Sequence, residues 1–267
     1  RDIFDSGNYY MIQDLSSGDR NCIVIETDNV NLDSEGHLIH DCNGYSGIDV
    51  DGYNNVTVKN CVVDNCKDGI YMAGSNDTLF NNTVKRNSEA GFVIGDSEYL
   101  NMTGNKAIFN TGDGINIWYV TDSIITNNFI TNNWNYGIYF DDVAENNLIY
   151  NNVFNNTDNI GGSSGINNWN TTQQSGSEIC SGTHLGGNYW SDLNGTGYSD
   201  TCIDSNHDGI CDSPYDLGNN NTDYLPLTGL TCPVYSVKWC GDNVCSSDIG
   251  ENSDTCCQDC GCSVGKT

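Results

Sequence analysis

Five glycines, Gly47, Gly69, Gly91, Gly114 and Gly137, each open a near-copy of one short phrase, and they recur at spacings of 22, 22, 23 and 23 residues. The copies read Gly-Ile-Asp-Val, Gly-Ile-Tyr-Met, Gly-Phe-Val-Ile, Gly-Ile-Asn-Ile and Gly-Ile-Tyr-Phe, and their second and fourth positions are always apolar. A period-2 pattern nested in a period near 22 describes short strands with one buried face each, and no unit can bury that face alone. The units must stack into a solenoid.

The remainder of each unit keeps step with its glycine. A second strand follows at 56–58, 78–80, 100–102, 124–126 and 147–149 and runs to Asn60, Asn82, Asn105, Asn128 and Asn151. A third lies at 61–64, 83–86, 106–109, 129–132 and 152–155 and closes at Asn65, Asn87, Asn110, Asn133 and Asn156. Two asparagine columns in the glycine register predict amides stacked coil on coil, at corners whose left-handed backbone asparagine tolerates.

Three strands and three corners in about 22 residues fit one coil of a parallel β-helix, and the handedness of parallel crossovers favours the right-handed form. Leucine-rich and helical repeats fit poorly, since the phrases lack leucine spacing and no sustained 3.6-residue period is present. Residues 22–25 and 29–32 repeat the strand patterns upstream, which gives about six coils of 22–23 residues in an all-β fold. The expected organisation is an N-terminal cap at 1–21, a β-helix at 22–158, a loop-rich capping segment at 159–231 and a cysteine-rich module at 232–267. Ile48, Ile70, Phe92, Ile115 and Ile138 should form one buried column, with Val50, Met72, Ile94, Ile117 and Phe140 beside it.

Composition narrows the setting. Fourteen cysteines and 9 Lys+Arg against 36 Asp+Glu point to a secreted or cell-surface protein and exclude nucleic acid as partner, because phosphate binding needs the opposite charge. No apolar run is long enough to span a membrane, and the start at Arg1 reads as a mature product whose signal peptide has been removed. Asn55, Asn76, Asn81, Asn101, Asn155, Asn170, Asn194 and Asn220 open glycosylation sequons, and Asn55, Asn81 and Asn101 are expected to point outward on the second strand.

Asp204, Asn206, Asp208, Gly209 and Asp212 occupy positions 1, 3, 5, 6 and 9 of a calcium loop, with the Ile210 carbonyl at position 7. Position 12 is Tyr215 instead of a bidentate glutamate, so the rival reading is an aspartate-rich turn pinned by a Cys202 to Cys211 disulfide. A structural calcium ion is the expectation. Cys42 and Cys66 hold matching places after the third strand of adjacent coils, within disulfide reach.

Gly187-Asn-Tyr-Trp-Ser-Asp192, the stretch from Asp204 to Tyr215, and Asp223-Tyr-Leu-Pro-Leu227 together resemble the closing segment of NosD-like β-helix proteins, a family common on archaeal cell surfaces. The phrase 29–39 resembles that family's first coil, so the resemblance covers roughly residues 8 to 230. It implies the fold; it implies little about chemistry, because members are mostly surface or periplasmic proteins without assigned reactions. Downstream, Cys240, Cys245, Gly250-Glu251, Cys256, Cys257, Cys260 and Cys262 resemble a small cysteine-rich repeat of secreted microbial proteins. Some thirty residues cannot bury a core, so disulfides must hold that module, with zinc the rival reading. Seven cysteines from Cys232 onward and seven before it require a bond crossing from tail to body, a bond leaving the molecule, or free thiols on both sides.

A polysaccharide lyase needs a basic catalytic residue, and arginine is confined to Arg1, Arg20 and Arg86. A glycosidase needs two placed carboxylates. Asp141 with Asp142 and Asp49 with Asp51 are candidates, yet the partner motifs of polygalacturonases are missing. The NosD association with copper-enzyme maturation brings His37, His40, Met72 and Met102 into view as copper ligands, but they read better as turn and core residues. The expected function is a non-catalytic extracellular structural protein that self-assembles into an envelope layer, sheath or filament. The second reading is a module whose outward face and tryptophans (Trp118, Trp134, Trp169, Trp190) hold surface glycans.

Overall fold

A computed structural model of the chain describes residues 1–163, 165–229 and 232. It is a parallel β-solenoid of about seven coils, in which three sheets of eight, seven and eight strands wrap one narrow core. The first sheet stacks Asp2–Ile3, Ile23–Ile25, Ile48–Asp51, Ile70–Ala73, Phe92–Glu98, Ile115–Thr121, Tyr136–Phe140 and Asp158–Gly162. The second runs from Gly7–Tyr10 to Leu148–Tyr150, and the third from Leu15–Ser16 to Tyr189–Ser191. Residues 1–21 are thus a full coil, one more than the glycine phrases predict; Ile3 pairs with Ile25 and Leu15 with Ile39. Asp158–Gly162 and Tyr189–Ser191 extend the first and third sheets by one strand each before the periodicity ends.

The inward columns are those expected. Ile48, Ile70, Phe92, Ile115 and Ile138 are in register and fully buried, as are Val50, Met72, Ile94, Ile117 and Phe140 to within 2% exposure. The repeated glycine is explained by crowding: a Cβ on Gly91 would lie 2.7 Å from the Gly114 carbonyl and 2.8 Å from Val84 of the third sheet. Any side chain there would push two coils apart.

Each corner uses two consecutive residues with different tasks. At the second corner Asn60, Asn81, Gly104, Asn127 and Asn151 take positive φ, and the next residue, Cys61, Asn82, Asn105, Asn128 or Asn152, turns inward. At the third corner Asp41, Asn65, Arg86, Phe109 and Asn132 take positive φ, and Cys42, Cys66, Asn87, Asn110 and Asn133 turn inward. The expected columns are therefore corrected at Asn60, Asn65 and Asn151, which are turn residues one place ahead of the ladder.

Behind the turns run two continuous amide ladders, Asn82–Asn105–Asn128–Asn152–Asn188 and Asn87–Asn110–Asn133–Asn156–Asn159. Asn105 shows the unit. Its backbone N–H and Nδ2 donate to Asn128 Oδ1 at 2.8 and 3.1 Å, Nδ2 also donates to the Leu79 carbonyl at 2.8 Å, and Oδ1 accepts from the backbone and side chain of Asn82. Every polar atom of a fully buried side chain is satisfied, which is the condition under which a buried polar column stabilises. At the far end Phe154 stacks on Trp190 at 4.7 Å and Phe140 meets Trp169 edge-on at 6.1 Å, closing the core with aromatic rings. The chain divides into two compact units, Arg1–Val234 and Tyr235–Thr267, the second wholly outside the described residues.

Candidate functional site

Because side chains alternate along a strand, burying Ile70, Phe92, Ile115 and Ile138 turns the residues between them outward. One outward row of the first sheet reads Val24, Asp49, Tyr71, Val93, Asn116, Tyr139 and Gly161, each paired with the next. Beside it Asp51, Ala73, Gly95 and Trp118 form a second row. The Trp118 indole lies directly over Gly95, where even a Cβ would collide with the ring, and it reaches Tyr71 at a centroid distance of 5.9 Å. A second plate repeats the arrangement: Tyr136 lies over Gly161 and stacks on Tyr139 at 5.3 Å. Each plate rests on a glycine that leaves room for the ring to lie flat.

Beside the first plate, Tyr71 lines a cleft of about 320 Å³ together with Val93, Asn116, Lys67, Asp68, Glu89 and Asp113. Its electrostatics are acidic. Lys67 is neutralised by Asp68 and Glu89, both at 3.1 Å. Burial pushes the Asp113 carboxyl up, against hydrogen bonds from the Tyr136 N–H, Asn116 and Asn135. Burial and then the neighbouring Asp51 and Glu26 push Asp49 up. The Tyr71 hydroxyl is raised by burial and by Asp51, Asp49 and Asp96. Exposed Tyr119 hydrogen-bonds Asp142, which holds that carboxyl low. Flat aromatic faces take the C–H face of a sugar ring, while carboxylates and amides take its hydroxyls. The surrounding negative charge disfavours an anionic ligand.

The residues singled out from the sequence are distributed differently. Trp118 belongs to this face and Trp134 is exposed, but Trp169 and Trp190 are 1% exposed and form the core plug, so neither is available to a glycan. In the calcium-type loop, Asp204 accepts the Asp208 and Gly209 N–H groups, Asp208 accepts the Ile210 N–H, and Asp212 takes the Ser205 N–H and hydroxyl. His207 and Gly209 supply the left-handed residues of its tight turn. Asn206 accepts the Asp208 N–H at 3.1 Å. Among the described residues, Asp204, Asp208 and Asp212 do not form a group of donor atoms within 4.8 Å of one another.

Of the sequons, Asn55, Asn76, Asn81, Asn101, Asn194 and Asn220 are exposed. Asn55 and Asn81 are left-handed corner residues rather than strand positions, whereas Asn101 does point out from its strand. Asn155 is a correction: it is 4% exposed beneath the capping segment, where no glycan fits on the folded chain. Asn170 is half-buried and accepts the Tyr224 N–H.

Cys202 and Cys211 are bonded, with Cα atoms 5.7 Å apart. Cys180 is bonded to Cys232, so a tail-to-body link exists and the six remaining tail cysteines are an even set. Those six, Cys240, Cys245, Cys256, Cys257, Cys260 and Cys262, lie outside the described residues. Cys66 sits beside Cys42, and Cys22 joins them. Cys61 is buried and free, its thiol pushed up to about 12 by burial.

The architecture, a glycine-punctuated parallel β-solenoid with an aromatic outward face, defines a class of repeat proteins that present extended surfaces. Within that class the chain belongs to the NosD family, described as periplasmic copper-binding protein (NosD), which matches residues 3–195. No curated protein sequence matches the chain. Among solved structures it is similar to the enzymatically active domain of Bacteriophage CBA120 tailspike protein 2, at 15% identity and a TM-score of 0.42, covering 62% of this chain and 36% of that one. It is also similar to the catalytic domain of a GH87 alpha-1,3-glucanase, at 15% identity and a TM-score of 0.35, covering 65% and 42%. The chain thus spans less than half of either structure. No helix among the described residues is long and apolar enough to cross a membrane.

The family description raises copper, and the donor sets can be compared. His37 pairs with Asp14 and His40 with Asp41, while Met72 and Met102 are buried in the core, so these four do not form a site. Cys22, Cys42 and Cys66 are the described cluster whose donor atoms all lie within 4.8 Å of one another. Reduced, they are the soft thiolate set that Cu(I) takes.

Proposed function

We propose that the chain is an extracellular or cell-surface solenoid that holds a neutral glycan along the outward face of its first sheet. The observation that carries this reading is the pair of aromatic plates, Trp118 with Tyr71 and Tyr136 with Tyr139, each laid over a glycine, with Tyr71 also lining an acidic, amide-bearing cleft. The sheet supplies rigidity, so little ordering entropy is lost on binding. The disulfides support an oxidising setting. Exposed sequons would carry glycans away from the cleft, and calcium would brace the loop at Asp204, Asn206, Asp208, Ile210 and Asp212.

The test is titration of the purified protein with a panel of neutral and uronate oligosaccharides, read by tryptophan fluorescence and calorimetry. Neutral members should bind and Trp118→Ala should weaken them at least tenfold. Equal binding by Trp118→Ala, or a preference for polyuronates, would remove the reading. Release of reducing ends would make the face hydrolytic rather than holding.

Self-assembly is a second reading with its own observation. The first coil exposes Phe4, Tyr10 and Ile12, at 65, 58 and 88%, beside the unpaired edges of all three sheets, a surface on which a second copy can stack. A covalent joint through an odd tail cysteine is not part of it, because Cys180 takes up Cys232. Sedimentation at high concentration distinguishes stacking from a monomer.

A further inference from the structure

Three cysteines occupy one buried corner. Cys42 and Cys66 are the inward residues of the third corner in adjacent coils, the column that continues as Asn87, Asn110, Asn133 and Asn156. Cys22, just ahead of Ile23–Ile25, enters the same space from the first sheet. All three are 3% exposed or less. Cys42 is 6.1 Å from Cys22 and 4.5 Å from Cys66, Cα to Cα, both within the span a disulfide bridges. A sulfur holds one disulfide at a time. Oxidising the trio therefore makes one bond and leaves one thiol against it, and Cys42 is the partner common to both arrangements.

We propose that Cys22, Cys42 and Cys66 form an internal thiol–disulfide exchange centre in which Cys42 alternates between two partners. In one isomer Cys22–Cys42 clasps the second coil on itself, and in the other Cys42–Cys66 staples the second coil to the third. The Cys66 thiolate attacks Cys42 Sγ, the Cys42–Cys66 bond forms as the Cys22–Cys42 bond breaks, and Cys22 leaves as a thiolate that takes up the proton Cys66 gave up. No electrons are gained or lost overall, so no external oxidant or reductant is needed. Both isomers keep the same backbone, because the corner is already set by the left-handed Asp41 and Asn65 and by ladder bonds such as that from the Cys66 N–H to Asn87 Oδ1. Water is excluded, and the third thiol is guarded from oxidants while remaining in reach of its own disulfide.

The experiment is a quantitative thiol map of the native protein. The folded chain is quenched in acid, unfolded, alkylated with a maleimide at low pH and digested, and linked peptides are identified by mass spectrometry. One preparation should yield both Cys22–Cys42 and Cys42–Cys66 peptides, with Cys22 and Cys66 each alkylated in the complementary fraction. Cys66→Ser should give the first linkage alone and Cys22→Ser the second, each with an unchanged β-sheet circular dichroism spectrum. A single linkage in the wild type, with the third cysteine either wholly free or bonded elsewhere, would overturn the proposal. So would three free thiols with a stoichiometric soft cation found by elemental analysis, which would make the trio a metal site.

Discussion

The early and late coils solve the same corner with different chemistry. From the fourth coil onward the second and third corners are filled by asparagines whose amides bond coil to coil, whereas the preceding coils place Cys42, Cys61 and Cys66 there. The backbone is alike in both regions, with left-handed Asn60 and Asn65 answered by Asn127 and Asn132. The corner shape therefore does not depend on the amide ladder. The ladder supplies satisfied hydrogen bonds in a column that small apolar sulfur can also fill.

The contrast can be broken most severely in the shared core. Ile115→Asp buries a charge without a partner in both descriptions and should cost at least ~4 kcal/mol, or prevent folding, as read by urea unfolding. Next, Asn105→Leu should cost roughly 3 kcal/mol, since it strands the Asn82 amide donors and the Leu79 carbonyl in the core. Cys61→Asn at the equivalent early place should stay within about 1 kcal/mol of wild type, because the Cys61 N–H already donates to Asn82 Oδ1 as a ladder residue does. A loss at Cys61→Asn matching that at Asn105→Leu would mean that the two regions are not equivalent.

A smaller, pH-dependent difference lies at the first corner. Asp77 stands in a column whose next members are Leu100, Ser123, Asn147 and Asn167, and its Oδ1 accepts the Val56 N–H while its Oδ2 is buried without a partner. Burial, with Asp28 nearby, pushes Asp77 up to about 7. The folded value exceeds the unfolded one of about 3.9, so the stabilising contribution is complete below about pH 4 and is lost as pH rises through about 7. Asp77→Asn should melt higher than wild type at pH 8, and the gap should shrink towards pH 4. The smallest effect concerns the 204–212 loop, where chelator should lower the melting temperature by a few degrees and Asp208→Ala should abolish that response.

The solenoid was legible because the crowding that demands Gly47, Gly69, Gly91, Gly114 and Gly137 writes itself once per coil. The ladder register was less so. Doublets such as Asn81-Asn82, Asn127-Asn128 and Asn132-Asn133 serve the turn with the first amide and the column with the second, and sequence alone does not order the two roles. The first coil was hidden because it lacks the opening glycine phrase. Asn155 looked available because its burial comes from Tyr189–Ser191, a strand 34 to 36 residues away that carries no repeat signal. The aromatic face is a property of neighbouring coils rather than of any one segment. Its available sign was Gly95 standing one repeat before Trp118, a glycine opposite a tryptophan.

That pairing gives the most direct measurement of the proposed function. Gly95→Val places a side chain where the Trp118 ring lies, so the indole must leave the sheet while every core column remains intact. Calorimetric titration of wild type and Gly95→Val with the best-binding neutral oligosaccharide, alongside their melting curves, isolates the plate from the fold. Binding should fall at least tenfold in the variant with the melting temperature lowered by no more than a few degrees. Undiminished affinity in a folded Gly95→Val protein, or no affinity of the wild type for any neutral glycan, would contradict a glycan-holding first sheet.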